Sequence, residues 1–294
     1  MNTHELCCIG HITHDKIVTP KRTAHMPGGT SFYFSHAIKQ FDDIDYALIT
    51  ALGEEDMHVV DEMRRLGLQV EVIPSRQSVY FENIYGENQD NRTQRVLAKA
   101  DPFTVDYLQD IEAHIFHLGS LLADDFSLEV VKYLSGKGKL SIDSQGYLRE
   151  VRGTDVFAVD WKQKHEFLKY ATFLKANEQE MYSLTGYNDV EKAAKELHSW
   201  GVKEVLLTLG IYDGEQFHLI PAYKPTEIVD ATGCGDTYMT GYLYCRAKNK
   251  SIDEAGRFAA AISTLKIEAM GPFAGTRADI ERCMQEAEQT FPSL

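Results

Sequence analysis

Val229-Asp230-Ala231-Thr232-Gly233-Cys234-Gly235-Asp236-Thr237-Tyr238-Met239-Thr240-Gly241 reads as a loop running into a helix. Gly233 and Gly235 admit positive φ and close backbone approach. The amides from Gly233 to Asp236 can therefore converge on one anion at the positive end of the helix that follows. Asp236 falls in the first turn beside that cradle, where a carboxylate can take a proton from a hydroxyl attacking a bound phosphoryl group. The same pattern also suits an ordinary Gly-rich turn with Asp236 as a helix cap.

Upstream of this stretch, short apolar runs at Leu6–Gly10, Tyr46–Thr50, Val70–Ile73, His114–Gly119, Leu140–Asp143, Thr172–Ala176 and Val205–Gly210 alternate with helical segments. Such a beat predicts a mostly parallel sheet with helices on both faces. Asp213-Gly214 predicts a hairpin into Gln216–Ile220. Alanines at 255 and 259–261 mark a long helix over 252–269, where small residues allow close helix packing or leave room for a flat adenine ring.

The first apolar run ends at Gly10, which places Asp15 where open α/β sheets bind ligands. Pro27-Gly28-Gly29-Thr30 leads into a helix with Ser31 as an expected cap. The two glycines let backbone amides approach a hydroxylated ligand. Residues 16–26 and 78–98 read as short strands and a hairpin that together can fold over the site as a lid.

These motifs resemble those of the ribokinase-like (PfkB) carbohydrate kinases. Asp230-x-Thr232-Gly233-x-Gly235-Asp236 is similar to the family's second signature, and Gly28-Gly29 to its first. The resemblance implies a three-layer α/β/α sandwich with a mostly parallel central sheet and a small β lid, in one domain spanning 1–294. It implies Asp236 as catalytic base, with Gly233, Cys234 and Gly235 as the anion hole. Asp15, Gly28 and Gly29 become acceptor contacts, and Thr208 and Gly210, from a Thr-x-Gly turn, nucleotide contacts.

Asn177 and Glu180 match the family's Asn-x-x-Glu motif, which organises Mg2+, and Asn177 also falls beside the nucleotide. A hard cation that keeps several waters suits one amide and one carboxylate. The same pair also spells a capping box.

A narrower likeness is to the myo-inositol kinase branch. It rests on His14-Asp15, Gly28-Gly29-x-x-Phe32, Arg95-Val96-Leu97 before Asp101-Pro102, and Asp143-x-Gln145. Asp143 and Arg95 thereby join the acceptor site, although Arg95 reads equally as a solvated strand-face arginine. Ala231, Cys234, Thr240 and Tyr33 depart from the usual family residues at their positions.

The reaction that the resemblance implies is transfer from ATP, with Mg2+, to a hydroxyl of a small sugar or polyol, with a myo-inositol-like acceptor favoured. K+ is a further cofactor that the resemblance allows. Ribose, fructose, 2-keto-3-deoxygluconate and adenosine are alternative acceptors, and a non-catalytic regulator of the same fold is the rival from another class. A thiol at Cys234, in an anion-binding loop at a helix start, is expected to be acidic and reactive, or else to fill space.

A net charge of −14 argues against a nucleic-acid or anionic-membrane surface. No apolar run reaches bilayer length, and five cysteines without a Cys-x-x-Cys pair suit a reducing compartment, so a cytoplasmic protein is expected. Pairing through the lid would make a homodimer.

Overall fold

A computed structural model describes residues 3–20, 22–85, 92–207 and 210–290. The strands in chain order are β1 (His4–Gly10), β2 (Thr13–Val18), β3 (Thr23–Gly28), β4 (Tyr46–Leu52), β5 (Val70–Pro74), β6 (Val79–Tyr85), β7 (Arg92–Ala98) and β8 (Ala113–Gly119). They continue as β9 (Lys139–Asp143), β10 (Arg149–Arg152), β11 (Asp155–Ala158), β12 (Phe173–Ala176), β13 (Glu204–Leu207), β14 (Gly210–Tyr212) and β15 (Phe217–Leu219). The helices are α1 (Thr30–Ile38), α2 (Met57–Arg65), α3 (Val105–Leu108), α4 (Leu128–Ser135) and α5 (Lys164–Leu168). They are followed by α6 (Glu178–Thr185), α7 (Val190–Ser199), α8 (Cys234–Ala247), α9 (Ile252–Ile267) and α10 (Arg277–Thr290).

A nine-stranded sheet in the order β15-β14-β13-β12-β9-β8-β1-β4-β5 forms the central layer. Its strands from β5 to β13 pair in parallel, and β14 and β15 add an antiparallel edge. Two apolar cores flank it. Alternating residues of β1 divide between them, Leu6 and Cys8 on one side and Cys7 and Ile9 on the other. That is the mark of a strand buried on both faces. The expected α/β/α sandwich is therefore present.

The chain leaves β1 for β4 on one side and reaches β8 on the other, so β1 is where the strand order reverses. A crevice opens there, at the C-terminal ends of the strands. Gly10 and Gly119 face each other across it.

The second sheet has six strands in the order β10-β11-β7-β6-β2-β3. Four of them are the anticipated lid segments. The hairpin of β10 and β11 was not anticipated, because its run Arg149–Ala158 is half polar and carries no strong alternation. It joins the lid through Asp155 opposite Arg95.

Other readings need correction. The single strand expected over Val205–Gly210 is described over Glu204–Leu207, and Gly210 belongs instead to β14, which pairs antiparallel with it. Ser31 does not cap α1: Gly29 precedes the helix at φ +86°, and the Ser31 hydroxyl donates to Gly10 O at 2.6 Å. Ser31 thus ties α1 to the end of β1.

Candidate active site

The aim of α8 is set at its far end. The Tyr242 hydroxyl donates to Glu204 Oε2 at 2.5 Å and Arg246 Nη2 to Glu204 Oε1 at 2.7 Å, fixing the helix to the start of β13. Charge-assisted bonds of this kind hold geometry tightly. A Cβ on Gly241 would lie 3.2 Å from Ala259 Cα, so α8 and α9 pack closely. Ala255, Ala259 and Ala261 are wholly buried, as close packing requires, whereas Ala260 faces a cavity. Close packing thus accounts for Ala255, Ala259 and Ala261, while Ala260 borders open space.

At its near end α8 begins just after Gly233, which sits at φ 74°. A Cβ there would come within 2.2 Å of the Tyr33 ring, so only glycine lets the loop lie on that ring. The first-turn N–H groups have no partners within the helix; Cys234 N donates to Ala231 O at 3.3 Å, and residues 233–236 line the crevice. A Cβ on Gly235 would lie 3.0 Å from Lys175 Nζ, which places an ammonium directly against the cradle.

Gly119 lacks a side chain where Thr30 approaches: a Cβ would come within 2.3 Å of Thr30 Cγ2. Thr30 can therefore reach Asp236, to which it is hydrogen-bonded. Burial first, and then the neighbouring Asp143 carboxylate, push Asp236 up to about 6, against the opposing pull of Lys175 and the Thr30 hydrogen bond. A carboxylate tuned toward neutrality is poised to exchange protons.

Asp143 ends β9 and Lys175 sits near the end of β12, with Nζ 3.0 Å from Asp143 Oδ2. Burial lowers the lysine, but Asp143, Glu180 and Asp236 outweigh it and hold Lys175 above its ordinary range, hence charged. Lys175 and Arg149 line the same cavity and were not singled out from sequence. Lys175 left a trace there, as the one charged residue in the apolar run Phe173-Leu174-Lys175-Ala176.

The cavity has a volume of about 570 Å³ and joins these groups. Toward the lid it is lined by Thr13, Asp15, Phe81, Asn83 and Gln94; Thr13 Oγ1 donates to Asp15 Oδ1 at 2.7 Å, and Gln94 Nε2 to Asn83 Oδ1 at 2.9 Å. Toward α9 it becomes apolar, lined by Leu207, Ile220, Pro221, Tyr223, Ala260 and Ile267. One end thus suits a hydroxylated ring and the other a flat apolar group.

Of the expected site residues, Asp15, Gly29, Asp143, Asn177, Gly233, Cys234, Gly235 and Asp236 line this one cavity. Gly28 stands behind it: a Cβ would meet Asp15 Oδ2 at 2.5 Å, so its bareness makes room for that carboxylate.

Asn177 and Glu180 form the reciprocal capping box, Asn177 Oδ1 accepting from Glu180 N and Glu180 Oε2 from Asn177 N, each at 2.9 Å. Glu180 is buried, and burial raises its carboxyl although Lys175 opposes the rise. Asp143, Glu180 and Asp236 outnumber Lys175 and Arg149 here, and a phosphate donor adds further negative charge. No group of three or more His, Cys, Asp or Glu that could hold a metal ion by itself occurs among the described residues, so Mg2+, which takes oxygen ligands and keeps waters, would fit here only with donor oxygens and water completing its shell.

Three expectations fail. Arg95 does not line the cavity: its guanidinium is bound by Glu82 at 3.1 Å and Thr154 at 2.8 Å, making it a strut between lid strands. Gly210 lies in β14, where a Cβ would meet His218 O at 2.4 Å, so its bareness serves the hairpin rather than a nucleotide. Thr208 lies outside the described residues. Cys234 is not acidic, since burial pushes the thiol up to about 11 despite Lys266 nearby.

From 9.0 to about 11 the thiolate fraction falls about 100-fold. Iodoacetamide should therefore label Cys234 far more slowly than a free thiol, as peptide mass spectrometry over time would read. Labelling at or above the free-thiol rate would contradict this.

An α/β/α domain with a β lid, an anion cradle at a helix start and a tuned carboxylate between polar and apolar ends is a small-molecule kinase of the ribokinase-like class. Residues 3–278 match the model of the pfkB family carbohydrate kinases, and the chain belongs to that family. It is a phosphotransferase with an alcohol group as acceptor.

The cytidine kinase of Thermococcus kodakarensis is 26% identical over 272 residues, covering 86% of this chain and 92% of the relative. A pyrophosphate-dependent kinase of the ribokinase family, solved with a pyrophosphate analogue and myo-inositol, is similar at 28% identity. Its TM-score is 0.81, and 94% of this chain and 99% of that one are covered. A pyrophosphate-dependent myo-inositol-1 kinase converted to a myo-inositol-3 kinase by two substitutions is similar at 27% identity. There the TM-score is 0.84, with 96% of this chain and 99% of that one covered. No helix among the described residues is long and apolar enough to cross a membrane.

Proposed function

We propose that this kinase transfers the terminal phosphoryl group of ATP to a hydroxyl of a myo-inositol-like polyol, with Asp236 as general base. The observation that carries the reading is Asp236 itself, raised to about 6 inside a cavity it shares with the start of α8. Asp236 takes the proton of the acceptor hydroxyl as that oxygen attacks phosphorus and the bridging P–O bond breaks. The amides at Gly233–Asp236 and the Lys175 ammonium hold the charge of the transferring group.

Asp15, beside Gly28 and Gly29, orients the acceptor. Asn177 and Glu180 would hold Mg2+, partly through water, and the ion would neutralise donor charge. The apolar end near Ala260 supports ATP, because a donor without a base has no use for it.

Pyrophosphate is the second reading, favoured by the similar structures that use it. Turnover measured with each donor, over myo-inositol, ribose, fructose, 2-keto-3-deoxygluconate, adenosine and cytidine, tests both. Ala260→Phe should fill the apolar end and raise the KM for ATP alone. Turnover with pyrophosphate but not with ATP would overturn the donor assignment.

On the acceptor side, the two substitutions that change which hydroxyl the myo-inositol kinase phosphorylates are eleven residues apart. Asn83 and Gln94 are also eleven apart, are register partners on β6 and β7, and line the cavity. We assign this pair to reading the hydroxyl pattern. The double change Asn83→Leu with Gln94→Leu should move phosphorylation to another hydroxyl or cost about tenfold or more in kcat/KM, since each lost polar contact leaves a hydroxyl unpaired. Chiral analysis of the product decides, and an unchanged product formed at an unchanged rate would refute the pair's role.

A further inference from the structure

Lys266, near the C-terminal end of α9, is wholly buried, yet it lies outside the cavity and takes no part in the transfer described above. Its Nζ donates to Asp230 O at 2.7 Å and stands 3.1 Å from Asp230 Oδ2. Asp230 opens the loop that becomes the cradle. Its carboxylate also accepts from Thr232 N at 2.9 Å and Gly271 N at 3.1 Å.

The same ammonium lies 5.9 Å from the centroid of the Tyr33 ring, on which Gly233 rests. One buried cation therefore bears on the loop twice, through Asp230 and through Tyr33. The end of α9, where backbone carbonyls gather partial negative charge, is a favourable place for it. Val229 N and Asp230 N complete the clamp by donating to Ile267 O at 2.8 and 3.0 Å.

A carbonyl oxygen and a carboxylate oxygen that converge on one point repel each other unless a cation stands between them. A bare monovalent ion such as K+ would use this oxygen pair, but Nζ already occupies the space. The residues present therefore do not fit a free ion at this point.

We propose that Lys266 is a positioning residue that supplies, from within the chain, the monovalent cation this loop needs, so that turnover runs without free potassium or sodium. An ammonium held covalently cannot dissociate when the charge in the cradle changes during transfer, which keeps the amides preorganised. The inference rests on the kinase reading of the cradle but not on the identity of donor or acceptor.

Thermal midpoint and turnover are to be measured in potassium chloride and in tetramethylammonium chloride at equal ionic strength, the latter ion being too large to enter. The wild-type enzyme should give the same midpoint in both salts and rates within about twofold, the range in which screening alone acts.

Lys266→Ala should lower turnover by about 10- to 100-fold, the worth of a charged hydrogen bond. Potassium or methylammonium should restore both its midpoint and its rate. In Lys266→Met the space is filled without charge, so no salt should rescue it. Wild-type turnover or midpoint that rises with potassium would overturn the proposal, as would Lys266→Met with unchanged kcat and donor KM. The midpoint reads the cation site even where the donor or acceptor assignment fails.

Discussion

Asp236→Asn is expected to abolish most of the turnover while making the protein more stable at neutral pH. Removing a general base costs about 100- to 10,000-fold. The stability gain follows from the sign of the shift. The carboxyl rises from 3.8 to about 6 on folding, so the native state favours its protonated form. Stability associated with this group is full below the unfolded value and is lost as pH rises through about 6. At pH 7 the ionised carboxylate therefore costs about 3 kcal/mol.

Asparagine cannot ionise and still accepts from Thr30, so the variant escapes that cost. A helix cap would leave both readouts near the wild-type values, since asparagine caps a helix about as well as aspartate does. Melting and steady-state rates, taken together at pH 7, thus separate the two readings of the signature. An Asp236→Asn variant with unchanged stability and unchanged rate would mean that the residue only caps the helix. The wild-type kcat/KM should also fall below pH about 6, roughly tenfold per pH unit, because only the ionised base accepts the proton. Asp143→Asn removes the charge that raises Asp236 and should move this limb to lower pH.

What could be read from the chain alone follows a physical division. Gly233, Gly235, Gly29 and Asp236 act through backbone shape and position along a few consecutive residues, which sequence displays directly. The parallel sheet was legible too, since doubly buried strands are uniformly apolar. Lys175, Arg149, Asn83 and Gln94 reach the cavity only through strand pairing and lid topology, which local sequence does not encode.

The misreadings share that origin. Arg95 was placed on the correct strand, but its partners come from elsewhere in the lid, Glu82 from β6 and Thr154 from the turn between β10 and β11. Gly210 was taken as a nucleotide contact from its Thr-x-Gly turn, but the space beside it is filled by β15. For Cys234, the field of the helix was legible while the burial that outweighs it was not.

Lys175 is the residue missed from sequence whose removal should matter most after Asp236. Its ammonium stands against Gly235 and bonds Asp143, so it serves both the cradle and the carboxylate cluster. Lys175→Met should lower kcat/KM by about 100- to 1,000-fold, as loss of one preorganised charge-stabilising donor does. It should also shift the acidic limb upward, since the positive charge that restrains Asp236 is gone.

This variant leaves Asp143 buried without its partner, which costs about 3–5 kcal/mol and could by itself impair the fold. The double variant Lys175→Met with Asp143→Asn removes both charges and tests the distinction. If Lys175 holds the transferring phosphoryl group, the double variant recovers its thermal midpoint but stays slow, with a raised donor KM. Recovery of the rate along with the midpoint would show instead that Lys175 serves only to neutralise Asp143.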